Sequence, residues 1–245
     1  MKKILIVLLL VPFISVSQNG LMFSEYGEGS AFNKWIEIYN PSLDQSVSLD
    51  DYSYNFCWNG CDSLQWEFSI SLDSGYILMP GETYLVVHYS ADSLLVNASN
   101  QISNILGNGD DVVAIYNKST NMIEDIIGVF DSIGVNDGWN IGDSIHATKN
   151  HTLIRKSGIC MGNMGDWSIS DGSISEPEWI VGVKDNFDDI GIHSCYSTNS
   201  VMDFNKKKKN LINITNILGQ ESQNPSQILL YIYDDGSVDK RIIID

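Results

Sequence analysis

Positive charge is the first scarcity. The 245 residues include 14 Lys and Arg against 31 Asp and Glu, a formal net charge of −17. A surface of that sign repels DNA, RNA and anionic lipid, whose binding needs basic patches, so no nucleic-acid partner is expected. Charge of either sign is sparse, at 18% of residues, while 43% are hydrophobic and 10% aromatic. A disordered acidic chain has the opposite balance, so this one can bury a core. No helical period is sustained over three or four turns, which excludes a coiled coil. Long apolar runs are missing beyond residue 14, which excludes a polytopic membrane protein. Catalytic signatures are missing too: no Gly-x-Ser-x-Gly elbow, no His-Glu-x-x-His and no P-loop occurs.

What is present begins with an address. Lys2 and Lys3 precede the apolar run 4–14, and Ser15-Val16-Ser17 puts small residues where a signal peptidase reads. The run has 11 residues, short of the roughly 20 that span a bilayer. Residues 1–17 are expected to be a secretory signal cut between Ser17 and Gln18. That leaves 12 basic against 31 acidic residues, a charge of −19, and no transmembrane segment. The expected location is extracellular or on an outer-membrane surface.

From residue 21 to about 184 the chain alternates short β-like runs with turn signals. Trp35-Ile36-Glu37-Ile38-Tyr39, Tyr84-Leu85-Val86-Val87-His88-Tyr89 and Val112-Val113-Ala114-Ile115-Tyr116 are rich in β-branched and aromatic residues, as are 123–130, 151–155 and 179–183. Asn40-Pro41, Pro80-Gly81, Asn108-Gly109, Asp137-Gly138 and Asp171-Gly172 punctuate them. The pattern predicts an all-β sandwich or barrel. Pro80-Gly81 fits a type II turn and predicts a hairpin between 76–79 and 83–89. A weakly linked end follows: residues 194–209 read as a linker holding Lys206-Lys207-Lys208-Lys209, and 210–245 as a small β appendage. The main domain is then 18–193.

Four cysteines in an exported chain point to disulfides, with three pairings open. Cys57-Trp58-Asn59-Gly60-Cys61 is a tight loop suited to a local bridge, which leaves Cys160 with Cys195. The rival is a metal site of Cys160, His193 and Cys195, at a spacing that fits no usual zinc pattern. Residues 132–149, rich in Gly, Asn and Asp, read as a long surface loop, the place to seek a ligand. Trp139, His146 and His151 are its candidate binding residues. Trp58, Trp66, Trp139, Trp167 and Trp179 are candidates for stacking on sugars, Trp139 first, although most of them are expected as core or strand-edge residues. His88, inside an apolar strand, is expected to be packed or edge-exposed rather than catalytic. Asp185-Asn186-Phe187-Asp188-Asp189 offers oxygen ligands for calcium through Asp185, Asp188 and Asp189, though it lacks the Gly and distal Glu of an EF-hand. Apart from that calcium, no cofactor is expected.

Several segments in order carry a family resemblance. Phe23-Ser24-Glu25-Tyr26-Gly27-Glu28-Gly29-Ser30 followed by Lys34-Trp35-Ile36-Glu37-Ile38-Tyr39-Asn40-Pro41 resembles the opening of bacterial lamin tail domains. Val47-Ser48-Leu49-Asp50-Asp51-Tyr52, Leu78-Met79-Pro80-Gly81-Glu82-Thr83-Tyr84 and Asn108-Gly109-Asp110-Asp111-Val112 resemble later pieces of that family. Asp125-Ile126-Ile127-Gly128 and Thr152-Leu153-Ile154-Arg155-Lys156 close the set, over residues 21–179. The resemblance implies an immunoglobulin-like β-sandwich with no settled activity. The Cys57 to Cys61 loop departs from the pattern. The C-terminus, with Ile212-Asn213-Ile214-Thr215-Asn216-Ile217-Leu218-Gly219-Gln220-Glu221 and Tyr231-Ile232-Tyr233-Asp234-Asp235-Gly236, resembles a type IX secretion sorting tail. Asn216 and Gln220 depart from the common Asp and Arg. That resemblance implies the type IX machinery as a partner and removal of the tail.

The expectation is a non-catalytic, exported binding or adhesion protein, with a glycan or protein ligand outside the cell. Two alternatives stay open. One is an extracellular hydrolase or its accessory domain, by analogy with the nucleases that neighbour lamin tail domains. The other is a structural component of the surface layer.

Overall fold

The computed structural model describes residues 20–61, 64–130, 134–195, 211–216, 229–233 and 238–241. The expected cleavage site at Ser17 and Gln18 and the Lys206 to Lys209 run lie outside them. The chain divides into two compact units, residues 1–197 and 198–245.

Two sheets form the first unit. One is six-stranded, in the order β12 (Trp179–Gly182), β11 (Thr152–Arg155), β1 (Met22–Glu28), β2 (Lys34–Tyr39), β7 (Thr83–His88), β8 (Gln101–Ser103). The other is four-stranded, in the order β10 (Met122–Ile127), β9 (Val112–Asn117), β4 (Tyr52–Cys57), β5 (Phe68–Ser71). A short pair, β3 (Val47–Ser48) with β6 (Ile77–Leu78), accompanies them. All pairings are antiparallel except β7 with β8. The sandwich forms because successive side chains of a strand point to opposite faces. In β2, Ile36 and Ile38 enter the core with Phe23, Tyr54, Phe56, Val113, Ile115 and Leu153, while Trp35 and Tyr39 face the other way.

That other face of the six-stranded sheet is also covered. The helix α1 (Ser93–Ala98), capped by Asp92 through the Leu94 N–H, supplies Leu95 against Trp35 and Val87. Residues 183–195 supply Phe187 and Ile190 to the same cluster and Cys195 to a second one with Met22 and Tyr39. A further helix, α2 (Trp167–Ser170), buries Trp167 in the main core.

The hairpin expected around Pro80-Gly81 is not made. The turn itself is present, with Glu82 N–H donating to Met79 O at 3.1 Å and Gly81 at φ 76°. Its flanks part because Asn40 captures the turn: Asn40 N–H donates to Glu82 O, and Gly81 N–H donates to Asn40 O. β7 therefore follows β2, while β6 crosses to β3.

The second unit contains an antiparallel sheet in the order β13 (Leu211–Asn216), β14 (Leu229–Tyr233), β15 (Val238–Arg241). Residues 234–237, which join β14 to β15, lie outside the described residues.

Candidate functional site

The long loop is pinned at its middle. Trp139 is 7% exposed, with its indole N–H on Asp111 O at 2.9 Å and its backbone N–H on Thr148 Oγ1 at 2.7 Å. The Thr148 hydroxyl in turn donates to Gly109 O at 2.5 Å. Gly128, at φ 93°, lets the indole in: a Cβ there would sit 2.6 Å from the ring. Trp139 is therefore a core residue and not the sugar-stacking residue its loop position suggested. Among the tryptophans considered, Trp58 is the most exposed, at 47%. Phe68 stands 4.5 Å behind it and Phe56 stacks on Phe68 at 4.6 Å. Trp66 is half-buried against Phe130, and Trp167 and Trp179 are core.

Anchoring at Trp139 and Thr148 leaves the rest of the loop to build a cleft. Ile141 and Ser144 bond each other in a small bridge, and the Asn140 side chain accepts the His146 N–H at 2.9 Å. His146 and Asn150 take the left-handed backbone region, at φ 56° and 57°. These two reversals fold the chain back so that His146 and His151 line one cavity of about 370 Å³. Asp137, Ile145, Lys149 and Asn150 complete its wall. Lys149 Nζ lies 3.5 Å from Asp137 and 3.2 Å from Asn136 O. His151 Nδ1 is 2.7 Å from Lys149 O, and Asn150 N–H donates to Glu28. The two histidines were legible candidates; Asp137, Lys149 and Asn150 were not. Only the fold-back places them together.

An ammonium group, two imidazoles, an amide and one carboxylate thus face a half-open space on an otherwise acidic protein. Such a wall offers both donors and acceptors to hydroxyl or carboxylate groups. His88 packs as expected, stacked on Phe32 at 4.9 Å, and burial depresses its pKa.

The acidic stretch 185–189 does not bring the carboxylates of Asp185, Asp188 and Asp189 into one cluster. The Asp185 carboxylate accepts from Ser30 N–H at 2.8 Å, Ser30 Oγ at 2.5 Å and Asn33 Nδ2 at 2.9 Å. It staples the β1–β2 turn. Burial pushes its pKa up, but those hydrogen bonds outweigh burial and the net direction is down. Asp185 and Asp188 both line a groove with the apolar side chains of Leu94 and Val183. Among the described residues no group of three or more His, Cys, Asp or Glu could hold a metal ion. The trio of Asp185, Asp188 and Asp189 and that of Cys160, His193 and Cys195 both fall under this statement.

Cys57 and Cys61 are bonded, as the tight loop predicted. Cys160 and Cys195 are free thiols, contrary to the expected second bridge. They are nonetheless neighbours: Cys160 Sγ lies 3.0 Å from Cys195 O. The sulfurs are unbonded here, with the Cys160 thiol donating to that carbonyl.

Two buried carboxylates escaped the sequence reading. Glu25 and Glu37 are register partners on β1 and β2, on the covered outer face. Glu37 accepts from Ser24 Oγ at 2.7 Å and Gly191 N–H at 2.5 Å. Glu25 accepts the Trp35 indole N–H at 3.1 Å, while its other oxygen has no partner. Burial pushes the Glu25 carboxyl up to about 8, with Glu37 and Asp189 adding to it.

Residues 15–129 match the family model of the Lamin Tail Domain. The match covers β1 to β10 and agrees with the immunoglobulin-like β-sandwich seen here. It stops before β11 and β12, which complete the six-stranded sheet beside β1, and before the cleft at 137–151. Among curated proteins and solved structures, nothing matched the chain. Among the described residues no helix is long and apolar enough to cross a membrane.

Proposed function

We propose that the chain is an exported binding module, non-catalytic, that holds a polar extracellular ligand in the cleft of its long loop. A glycan is the ligand class that suits it best. The observation that carries this reading is the convergence of His146, Lys149 and His151 on one cavity, in a loop anchored to the core through Trp139 and Thr148. Binding groups on loops held by a rigid sandwich are a common solution, because the sheets fix the geometry that the loops present. The wall has hydrogen-bonding groups in the density that sugar hydroxyls or a uronic carboxylate need. Export is supported by the signal-like residues 1–17, the Cys57–Cys61 bond and the sorting-tail pattern of 210–245. The type IX route and a surface or released location follow from that pattern.

The test is a glycan array of neutral and uronic-acid oligosaccharides, probed with the wild-type chain and with His146→Ala/Lys149→Ala. Both substituted side chains stand at the cleft, outside the core, so the fold should persist. Retained glycans that the double variant releases support the reading. Equal binding by both proteins, or none by either, rejects the cleft. The histidines beside Asp137 also keep a hydrolase in view, since imidazole and carboxylate are the usual acid–base groups. Cleavage of a bound glycan by the wild type and not by His146→Ala would replace binding with hydrolysis.

A further inference from the structure

Residues 183–195 form a cover over the outer face of the six-stranded sheet. Phe187 meets Trp35 edge-on at 5.2 Å, Gly191 N–H donates to Glu37 Oε2, and His193 meets Tyr39 edge-on at 4.6 Å. Beneath lie Glu25 and Glu37, both fully buried. The cover ends at Cys195, which is itself buried against Met22 and Tyr39.

The far end of the cover is laid directly along residues 158–160. Gly158 N–H donates to Ser194 O at 3.1 Å, and His193 Nε2 lies 3.2 Å from Ile159 O. Cys160 Sγ is 3.0 Å from Cys195 O, and the Cys195 thiol faces Pro41 O at 4.0 Å. Cys160 is half-exposed, whereas Cys195 is 3% exposed. This is the arrangement of an open clasp: one thiol reachable from solvent, its partner already in contact behind it.

We propose that Cys160 and Cys195 are a second cross-link site, closed by a disulfide-bearing oxidant, and that closure locks the 183–195 cover onto the sheet. The Cys160 thiolate attacks the oxidant R–S–S–R, forming a Cys160–S–S–R mixed disulfide and releasing R–S⁻. The Cys195 thiolate then displaces the second R–S⁻. The two protein thiols lose two protons and two electrons, and the oxidant leaves as two thiols. Closure requires both sulfurs to turn toward one another, Cys160 Sγ from the Cys195 carbonyl and Cys195 Sγ from the side of Pro41 O. The closed ring contains α2, β12 and the whole cover. Chain cleavage beyond residue 195 leaves it intact, so the outer layer would survive removal of a C-terminal tail. The inference rests on this juxtaposition and stands apart from the cleft and its ligand.

The experiment uses the full chain with the Cys57–Cys61 bond in place. It is equilibrated with oxidised glutathione, alkylated and mapped by mass spectrometry, then challenged with protease beside the unoxidised protein and Cys160→Ser. The expected result is a peptide pair joined through Cys160 and Cys195, lighter by two hydrogens. Cleavage within 183–195 should slow roughly tenfold, because the tethered segment opens less often. Stable glutathionyl groups without the linked pair, scrambling with Cys57 or Cys61, or a linked pair with unchanged proteolysis would each overturn the proposal. Should Cys160→Ser fold poorly, the oxidised and unoxidised wild type supply the same comparison.

Discussion

Asp125 and Arg155 meet at 2.9 Å across the two sheets of the sandwich, both side chains wholly out of solvent. Asp125 belongs to β10 and Arg155 to β11, so their ion pair joins the four-stranded sheet to the six-stranded one. The same carboxylate accepts the Phe23 N–H at 2.9 Å and the Asn163 N–H at 3.0 Å. The guanidinium lies over Trp179 at 4.3 Å, with Glu178 3.6 Å away. Its Nε and Nη1 make no hydrogen bond. Removing one member of such a pair strands the other charge in the core, which costs about 3–5 kcal/mol. Arg155→Met is therefore expected to lower the urea midpoint strongly. Asp125→Asn/Arg155→Met should regain part of the loss, because Asn keeps an acceptor for Phe23 and carries no stranded charge. A double variant no more stable than Arg155→Met would show that the charges are not coupled.

Glu25 makes stability depend on pH in an unusual direction. Its folded pKa is about 8 against an ordinary value of 4.5, so between these the folded state binds the extra proton. Stability from this group is then fully present below about pH 4.5 and is lost as pH rises through 8. Glu37, raised by burial as well, pulls the same way. Glu25→Gln keeps an oxygen for the Trp35 indole N–H and cannot ionise. It should unfold at higher urea than the wild type at pH 8.5, by a few kcal/mol at most, and lose that advantage near pH 5. Parallel urea titrations at the two pH values read the difference directly. An advantage of equal size at both would place the effect in packing.

The Cys57–Cys61 bond closes a very small ring, so its stabilisation of the whole fold is modest, about 2 kcal/mol. Its stronger effect is local. The loop is held by Asn59 N–H on Asp111 Oδ1 at 2.8 Å and Trp58 N–H on Glu67 at 2.9 Å. Cys57→Ala/Cys61→Ala should shift the melting temperature by a few degrees while speeding amide exchange at Trp58 and Asn59 far more. Exchange that rises equally across β4 would instead make the bond a global staple.

How far the sequence led can be judged on particular residues. The strands were legible because β-branched and aromatic runs alternate with Asn, Gly and Pro. The pairing at Pro80-Gly81 was not, since two backbone hydrogen bonds to Asn40, 40 residues away in sequence, decide it. Trp139 sat in a polar loop, and nothing local announces that Gly128 opens a slot for it. Glu37, flanked by isoleucines in β2, lies on a face whose cover comes from residues 183–195. Phe187 and Ile190 are spaced among aspartates there, so the cover reads as solvated loop. His146 and His151 were candidates by position, but their meeting depends on left-handed turns at His146 and Asn150, residue types that favour that region without marking where a cleft will form.

Processing at both ends gives the sharpest check on export. If residues 1–17 are a signal, intact mass should place the N-terminus at Gln18. If 210–245 is a sorting tail, protein recovered from the medium or the cell surface should end between residue 195 and the start of that tail. The lysine run at 206–209 is the favoured region for the cut, being the one basic segment in an acidic chain. The sandwich is expected to be indifferent to this loss, because the tail belongs to the second compact unit, which begins at residue 198. Thermal unfolding of the full chain and of the recovered species should therefore share one main transition within a few degrees. A recovered species that starts at Met1 and ends at Asp245 would remove the secretion reading. A trimmed species melting far below the full chain would show instead that the C-terminal unit supports the sandwich.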